Sequence, residues 1–181
     1  GGACVLGETG PGGGKVFYVA SSNFTSTGSN CGTACKYLEA APSDHSSQVA
    51  WCSNTSSSLG VTATGIGSGM SNTTTADSTC TSGAIQVAAD YTYNSKADWH
   101  LPSKDELNEL CKYAKNTGQA SGSGTVCTGG SDATLRGFSS DAYWSSYEYD
   151  GDLAWFQWFD VGEQYATSKY ATAYVRPVRS F

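Results

Sequence analysis

The chain has few charged residues and few of the amino acids that favour helices. Aspartate, glutamate, lysine and arginine together make up 14% of its 181 residues, and there is a single methionine. Glycine, serine and threonine are abundant instead, which is typical of strands, turns and ordered loops. A mostly helical protein is therefore excluded. The length suits one domain with a well-formed core and is short for two, so we predict a single domain over residues 1–181.

Positive charge is also scarce. The sequence has 10 lysine and arginine residues against 16 aspartate and glutamate residues, for a formal net charge of −6. Binding to a nucleic-acid backbone needs a basic surface, and spanning a bilayer needs about 20 consecutive apolar residues. The sequence has neither feature, so we expect no nucleic-acid partner and no membrane insertion.

Zinc-binding cysteine spacings are absent although cysteine itself is plentiful. Seven cysteines in a small polar chain favour an oxidising compartment, and we expect a signal peptide in the precursor, with GGAC opening a mature product or an excised module. We favour a disulfide between Cys111, near the end of a predicted helix, and Cys127, after a Gly/Ser loop. Five other cysteines allow two more disulfides and one free thiol, in a pairing that the sequence leaves open. These are Cys4, Cys31, Cys35, Cys52 and Cys80.

The first glycine-rich stretch lacks the pattern of a phosphate-binding loop. Residues 7–15 read GETGPGGGK, but Lys15 is followed by the apolar run VFYVA instead of a Ser or Thr that opens a helix. The glycines therefore predict a turn that leads into a strand at residues 15–20. Residues 36–41 predict a second short strand or a helix start that stops at Pro42.

The middle of the chain predicts ordered loops and two helices. Residues 43–82 have the composition of a disordered segment, but two cysteines and Trp51 favour an ordered region held by disulfides. Residues 82–92 have the spacing of a short amphipathic helix. A longer helix begins after Ser103, a natural N-cap whose capping-box partner is Glu106. Its predicted buried residues are Leu107, Leu110, Cys111 and Ala114. His100, just before this helix, has no visible partner, and we interpret it as structural.

Two further segments complete the prediction: a loop at residues 117–137 and a last strand at residues 173–179, where Pro177 lies at an edge or a bulge.

The densest aromatic stretch, residues 143–164, contains a predicted strand from Ala154 to Asp160. Alternation places Trp155, Gln157 and Phe159 on one face. The other face carries Ala154, Phe156, Trp158 and Asp160. If one face is core, the other displays Phe156 and Trp158, whose replacement by serine would then change stability little. The alternative is a strand packed on both faces. Short polar and acidic residues flank the strand, a composition typical of a recognition surface.

Several motifs coincide along the chain: GPGGGKVFYV, CKYLEAAP, DWHLPSKDELNEL, YWSSYE, AWFQWF followed by VGEQ, and a terminal YVRPVRSF. Together they resemble a large bacterial family of secreted C-type-lectin-fold domains that includes the C-terminal domain of collagen-like adhesins. They are also similar to the variable proteins diversified by retroelements. The resemblance covers nearly the whole chain. It implies an α+β C-type-lectin-like fold with a small twisted antiparallel sheet, adjacent N- and C-terminal strands, two helices and long ordered loops, in an extracellular or cell-surface protein.

In the retroelement-diversified relatives, fixed scaffold positions alternate with variable contact positions. The resemblance assigns to the scaffold Trp144, Ser145, Ser146, Trp155, Gln157, Phe159, Gly162, Gln164 and Arg176. It assigns to the contact positions Tyr147, Tyr149, Asp150, Asp152, Phe156, Trp158, Asp160, Glu163 and Tyr165. These nine contact positions are the predicted ligand-binding residues, and the partition agrees with the strand-face argument.

Catalytic and metal-binding groups are not convincing in this sequence. The same fold family contains formylglycine-generating enzymes, which use a cysteine pair in the C-terminal half, but no cysteine follows Cys127. Ser145 and Ser146 have no histidine nearby, so we expect no enzyme and no cofactor. Calcium is the one metal to weigh, although neither an EF-hand spacing nor the lectin calcium signatures are present. Its candidate ligands are Glu148, Asp150, Asp152 and Asp160.

We expect a non-catalytic extracellular binding or adhesion module that recognises protein or neutral glycan through its aromatic and acidic residues. The alternative is a structural subunit whose aromatic residues pack on a neighbouring copy in a homo-oligomer or filament. The acidic rim is expected to repel anionic polysaccharides such as heparin. If heparin did bind, the operative surface would be Lys169, Arg176 and Arg179.

Overall fold

The computed structural model describes residues 2–117, 127–130 and 132–181. Two strands come first, β1 (Lys15–Phe24) and β2 (Cys35–Ala40), followed by three helices, α1 (Gly69–Asp77), α2 (Ala84–Ala89) and α3 (Lys104–Lys115). After a short 3-10 turn at Leu135–Gly137 come β3 (Ala142–Glu148), β4 (Leu153–Trp158), β5 (Gln164–Ser168) and β6 (Val178–Ser180). None of the described helices has the length and apolar character needed to cross a membrane.

The strands form two separate three-stranded antiparallel sheets. The first has the order β1-β2-β6 and the second the order β3-β4-β5. The fold is therefore a small mixed α/β arrangement with two antiparallel sheets. This corrects the expectation of one small sheet with adjacent terminal strands, because β2 lies between β1 and β6.

Helix α3 follows the prediction closely. Ser103 Oγ accepts a hydrogen bond from the Glu106 backbone N–H at 3.2 Å, and Glu106 Oε2 accepts one from Ser103 N–H at 2.8 Å, so the capping box is complete. The four residues of the predicted stripe, Leu107, Leu110, Cys111 and Ala114, are all fully buried. The shorter helix α2 also lies inside the predicted range 82–92.

Two predicted segments differ from the structure. Residues 43–82 contain helix α1, which the sequence did not indicate because its nine residues GMSNTTTAD have no apolar face. Besides the buried Ala76, polar contacts hold this helix: Thr73 Oγ1 accepts a hydrogen bond from Leu101 N–H at 3.0 Å, and Asn72 Nδ2 donates to the Ala63 carbonyl at 2.7 Å. The last strand is shorter than predicted, because residues 173 and 174 form only isolated bridges, with Val49 and Tyr143.

Three disulfides link the described residues. The favoured Cys111–Cys127 disulfide is confirmed, although most of the predicted loop between these two residues lies outside the described residues. The other two join Cys31 to Cys35 and Cys52 to Cys80, and Cys4 is the free thiol, as the count of cysteines required. The Cys52–Cys80 disulfide closes the polar region 43–82, as predicted. Three disulfides fit an oxidising compartment.

Core side chains cover both faces of the β3-β4 pair. One cluster contains Trp144 and Phe156 together with Ile85 from α2. The other contains Tyr143 and Phe159 together with Leu110 from α3. The strand pair thus lies between α1 and α2 on one side and α3 on the other. The alternative of a strand packed on both faces is the one that the structure shows.

Buried glutamates fix the glycine-rich loops. Glu39 is fully buried and accepts hydrogen bonds from Gly12 N–H at 2.9 Å and Gly14 N–H at 3.0 Å, while Arg179 donates to the same carboxylate at 2.9 Å. A Cβ atom at position 12 would lie 2.5 Å from Glu39 Oε1, and one at position 14 would lie 2.2 Å from the Ala40 carbonyl oxygen. The stretch that looked like a phosphate loop therefore binds a carboxylate of the protein itself.

Candidate ligand-binding surface

Exposure alternates along residues 144–165 in the way that the two sets of positions predict. Every predicted scaffold residue is buried except Trp155, which is half-buried. Among the contact positions, Tyr147 and Trp158 are half-buried and one, Phe156, is buried. The other six are exposed: Tyr149, Asp150, Asp152, Asp160, Glu163 and Tyr165. The alternation arises because β3, β4 and β5 rest on two cores, so that only turns, strand ends and edges reach solvent.

The exposed acidic residues lie at opposite ends of β4. Asp150 and Asp152 belong to the turn that joins β3 to β4, whereas Asp160 and Glu163 belong to the turn that joins β4 to β5. Six residues of strand separate the two turns, which corresponds to roughly 20 Å at about 3.3 Å per residue. The nine predicted residues therefore form two patches and not one continuous surface.

The first patch, here called the hairpin patch, comprises Tyr147, Tyr149, Asp150, Asp152 and Trp155. The Trp155 ring lies 5.9 Å from the rings of both Tyr147 and Tyr149, and the Lys104 ammonium lies 4.2 Å from the Trp155 ring centroid. Asp150 Oδ1 accepts hydrogen bonds from the backbone N–H groups of Asp152 and Leu153, at 2.9 and 2.8 Å, which folds the turn.

The second patch, here called the strand patch, comprises Phe156, Trp158, Asp160, Glu163 and Tyr165. The Phe156 ring lies 5.8 Å from Trp158 and 6.5 Å from Tyr165. The Tyr165 hydroxyl donates a hydrogen bond to Glu163, and this bond to a carboxylate raises the pKa of Tyr165 above its usual value. The pairing keeps an aromatic ring and a carboxylate side by side in solvent.

The prediction that Phe156 is displayed is wrong. Only 9% of this residue is exposed, and its ring packs 5.9 Å from the buried Trp144 ring. The reason is tertiary: β4 is the central strand of its sheet, and this face packs on α1 and α2. Phe156 therefore supports the strand patch from beneath, and replacing it with serine would remove core volume. Trp158, two residues further along, is half-buried against the same cluster.

The four candidate calcium ligands are not brought together. Glu148 is fully buried and its carboxylate is already bound by Lys169 Nζ at 2.6 Å and by the N–H groups of Leu59 and Gly60 at 2.9 Å. Asp160 lies at the far end of β4. Within residues 2–117, 127–130 and 132–181, no three histidine, cysteine, aspartate or glutamate side chains are placed to hold a common metal ion.

The environment of Glu148 also fixes its charge. Burial alone would raise the pKa of this carboxyl, but the hydrogen bonds from Lys169, Leu59, Ser58 and Gly60 outweigh burial and hold the pKa below its usual value. Glu148 is thus an anion that organises the loop before α1, and it is not part of a ligand-binding rim.

The basic residues named as an alternative polyanion-binding surface are also buried. Lys169 is fully buried against Glu148. Arg176 Nε donates to Asp44 at 2.5 Å, and Arg179 contacts Asp98 at 2.5 Å and Glu39 at 2.9 Å. The prediction that these three residues would form a surface for a polyanion is therefore wrong, because each cation is buried and already paired with a carboxylate.

Two residues at the hairpin patch, its member Trp155 and the adjoining Lys104, are not among the predicted contact residues. The resemblance assigns Trp155 to the scaffold, yet its side chain is only half-buried and its ring packs beside the rings of Tyr147 and Tyr149. Lys104 is the first residue of α3, and its contact with Trp155 depends on how α3 packs against β4. No local pattern in the sequence signals such a contact between residues about fifty positions apart.

The fold and these patches define a small disulfide-linked α/β module that presents aromatic and acidic side chains from the ends and edges of a β-sheet. Residues 25–179 match the model of the Lcl C-terminal domain, and the chain belongs to this family. Membership suggests a non-catalytic module of the adhesion type. No curated protein matches the chain.

Proposed function

We propose that this chain is a non-catalytic extracellular adhesion module with a C-type-lectin-like fold that binds a protein or a neutral glycan through residues 147–165. The observation that carries the proposal is the alternation of exposure in this segment. Buried side chains hold the backbone, while tyrosine, tryptophan and carboxylate side chains at the intervening positions reach solvent. Three disulfides and the membership in the Lcl C-terminal domain family support it.

The chemistry of both patches suits either ligand. Sugar rings stack on exposed aromatic faces while carboxylates accept hydrogen bonds from hydroxyl groups, and protein partners use the same aromatic residues as anchors within a polar rim. Tyr149 is 54% exposed in the hairpin patch, and Tyr165 is 49% exposed in the strand patch. Each patch thus offers one large accessible ring beside at least one carboxylate.

Serine substitutions of matched tyrosines test the proposal. The probes are an array of neutral glycans and an array of basic proteins, and the variants are Tyr149→Ser, Tyr165→Ser and the control Tyr170→Ser. Tyr170 is 71% exposed but lies outside the predicted positions. We expect at least one probe to bind, and one of the first two variants to weaken that binding about tenfold or more, as loss of an anchor residue does.

The result also separates the two patches. Loss with Tyr149→Ser alone assigns the ligand to the hairpin patch, and loss with Tyr165→Ser alone assigns it to the strand patch. Equal losses for all three variants, or none for the first two, would contradict the proposal.

Self-assembly is the second candidate function, and the exposed apolar side chain of Val161 favours it. Val161 is 51% exposed and lies in the same turn as Asp160, next to the strand patch. Exposed apolar groups of this kind mark contacts between copies as well as contacts with ligands. Size measurement over a range of concentrations discriminates. A monomer that binds a probe excludes assembly through this surface, and a closed oligomer that hides Tyr165 excludes the strand patch as a ligand site.

A further inference from the structure

A groove lies between the loop at residues 44–46, the C-terminal end of α2 and Pro177. Its volume is about 470 Å³, which is in the range of small-molecule sites. None of the nine predicted ligand-binding residues lines it. This space is called the α2 groove below.

One wall of the α2 groove is apolar and held in place. Val87 and Pro177 contribute aliphatic surface, and Tyr91 contributes an aromatic ring. The Tyr91 ring is fixed by an edge contact with the buried Trp99 at 5.3 Å and by stacking on Tyr93 at 6.5 Å. A wall of this kind suits a compact ring with an apolar face.

The charge of the α2 groove is negative. Asp44 is neutralised, because its Oδ1 accepts a hydrogen bond from Arg176 at 2.5 Å and its Oδ2 accepts one from the Tyr143 hydroxyl at 2.7 Å. Asp90 is exposed and has no ion-pair partner among the described residues. After burial, the charge of Asp90 is the second cause that raises the pKa of the neighbouring Asp77. No lysine or arginine is among the described residues that line the groove.

His45 and three uncharged polar side chains complete the lining. Gln86, Ser46 and Thr92 lie along the groove. Within the described part of the chain their side chains make no hydrogen bonds that would occupy them. They are therefore available to the hydroxyl groups of a ligand, in addition to the one carboxylate that is available to a cation.

We propose that the α2 groove binds an amino sugar, with its ammonium group on Asp90 and its ring against Tyr91 and Pro177. The hydroxyl groups of the sugar pair with Gln86, Ser46 and Thr92. A lysine side chain has a single polar end and would leave these three groups without partners. An acidic sugar would be repelled by Asp90. This site is separate from the surface of the proposed function, so each can fail without the other.

The test uses glucosamine as the probe and follows the backbone amide signals of the whole chain by NMR at neutral pH. We expect saturable shifts at residues 44–46 and 86–92. N-acetylglucosamine is the matched neutral sugar, and it is expected to bind about tenfold more weakly or worse, because it lacks the charge-assisted hydrogen bond to Asp90. Nα-acetyl-lysine amide supplies the same ammonium without the sugar ring and is expected to bind more weakly than glucosamine.

Two variants with the same change of charge make the test specific. Asp90→Asn is expected to weaken glucosamine binding about tenfold, whereas Glu8→Gln, which removes an exposed carboxylate outside both patches and outside the groove, is expected to leave it unchanged. Equal effects of the two variants would show a non-specific response to net charge and overturn the site. Equal binding of glucosamine and N-acetylglucosamine, lysine amide binding as tight as glucosamine, or no saturable shift at these residues would each overturn it too.

Discussion

Two groups of carboxylates in this chain have opposite roles, although one member of the first group, Glu148, lies almost side by side in sequence with members of the second. Glu39, Glu106 and Glu148 are fully buried, and each accepts hydrogen bonds from glycine or neighbouring backbone N–H groups of a loop. Asp150 and Asp152 follow Glu148 by only two and four residues, yet both are exposed in the β3-β4 turn. The type of residue does not decide the role. N–H donors from a loop distant in sequence do, and at Glu39 and Glu148 a buried cation is added.

The buried carboxylates explain how a chain rich in glycine, serine and threonine stays ordered. Each loop next to a buried glutamate would carry N–H groups without partners, and the carboxylate satisfies two or more of them at once. Both bonds lie in the loop between β2 and α1: Gly67 N–H donates to Glu106 Oε1 at 2.8 Å, and Gly60 N–H donates to Glu148 Oε2 at 2.9 Å. The exposed carboxylates hold no distant loop and are left for ligands.

Among the tests of this difference between buried and exposed carboxylates, Glu148→Gln is expected to change stability most. The change leaves the fully buried Lys169 ammonium without a counter-ion, and removing one partner of a buried pair typically destabilises a protein by about 3–5 kcal/mol. The matched change Asp152→Asn, four residues away and exposed, is expected to alter the free energy of unfolding by less than about 0.5 kcal/mol. Denaturant unfolding of both variants measures the difference.

A second change in the Glu148→Gln background serves as a control for this result. Lys169→Met removes the unpaired cation and is expected to recover part of the lost stability, because replacing both partners of a buried pair costs less than removing one. Similar stabilities of Glu148→Gln and Asp152→Asn would show that the Glu148 carboxylate is not structural.

The dependence of stability on pH gives a second test of the buried carboxylates, with a smaller expected effect. The folded-state pKa of Glu148 is lowered, so its contribution to stability is fully present above the unfolded-state value of about 4.3 and is lost as the pH falls through the lower folded-state value. Asp98 acts in the same sense: burial opposes the shift, but hydrogen bonds from Arg179 and Asn30 lower its pKa overall. We therefore expect the free energy of unfolding to fall as the pH drops below about 4.3.

Carboxyl groups with a raised pKa oppose this loss of stability in acid. The test therefore compares the pH dependence of stability between variants. Burial raises the pKa of Glu109 despite the hydrogen bond from Lys112, and protonation of such a group favours the folded state as the pH falls. The slope of stability against pH should be shallower in Glu148→Gln than in the parent chain. It should be unchanged in Asp152→Asn. Identical slopes in all three proteins would contradict the assignment of a lowered pKa to Glu148.

Local patterns predicted the local features of the fold. The Ser103 and Glu106 capping box predicted the start of α3, whereas the division of positions 144–165 into scaffold and contact residues came from the family resemblance and failed at Phe156, which is buried. Long-range contacts could not be read from such patterns. Glu148 was grouped with the exposed acids because its partners, Lys169 and the loop at 58–60, lie 21 and about 90 residues away. Phe156 and Trp158 share a strand face, and only the packing of α1 and α2 makes the first more buried.

The smallest expected effect is that heparin does not bind. This prediction tests the role of the exposed carboxylates. The basic residues that could have met a sulfated polymer, Lys169, Arg176 and Arg179, are buried and paired with carboxylates. The solvent-facing charges of both patches are mostly acidic, so they repel a polyanion. We expect no retention on a heparin column at physiological salt. Replacing Asp152 and Glu163 together with neutral amides should leave the chain unretained, because it exposes no new cation. Tight, salt-sensitive retention of the parent chain would instead require a cationic surface built from other residues, such as Lys36 or Lys96, and would contradict the assignment of the acidic patches to ligand binding.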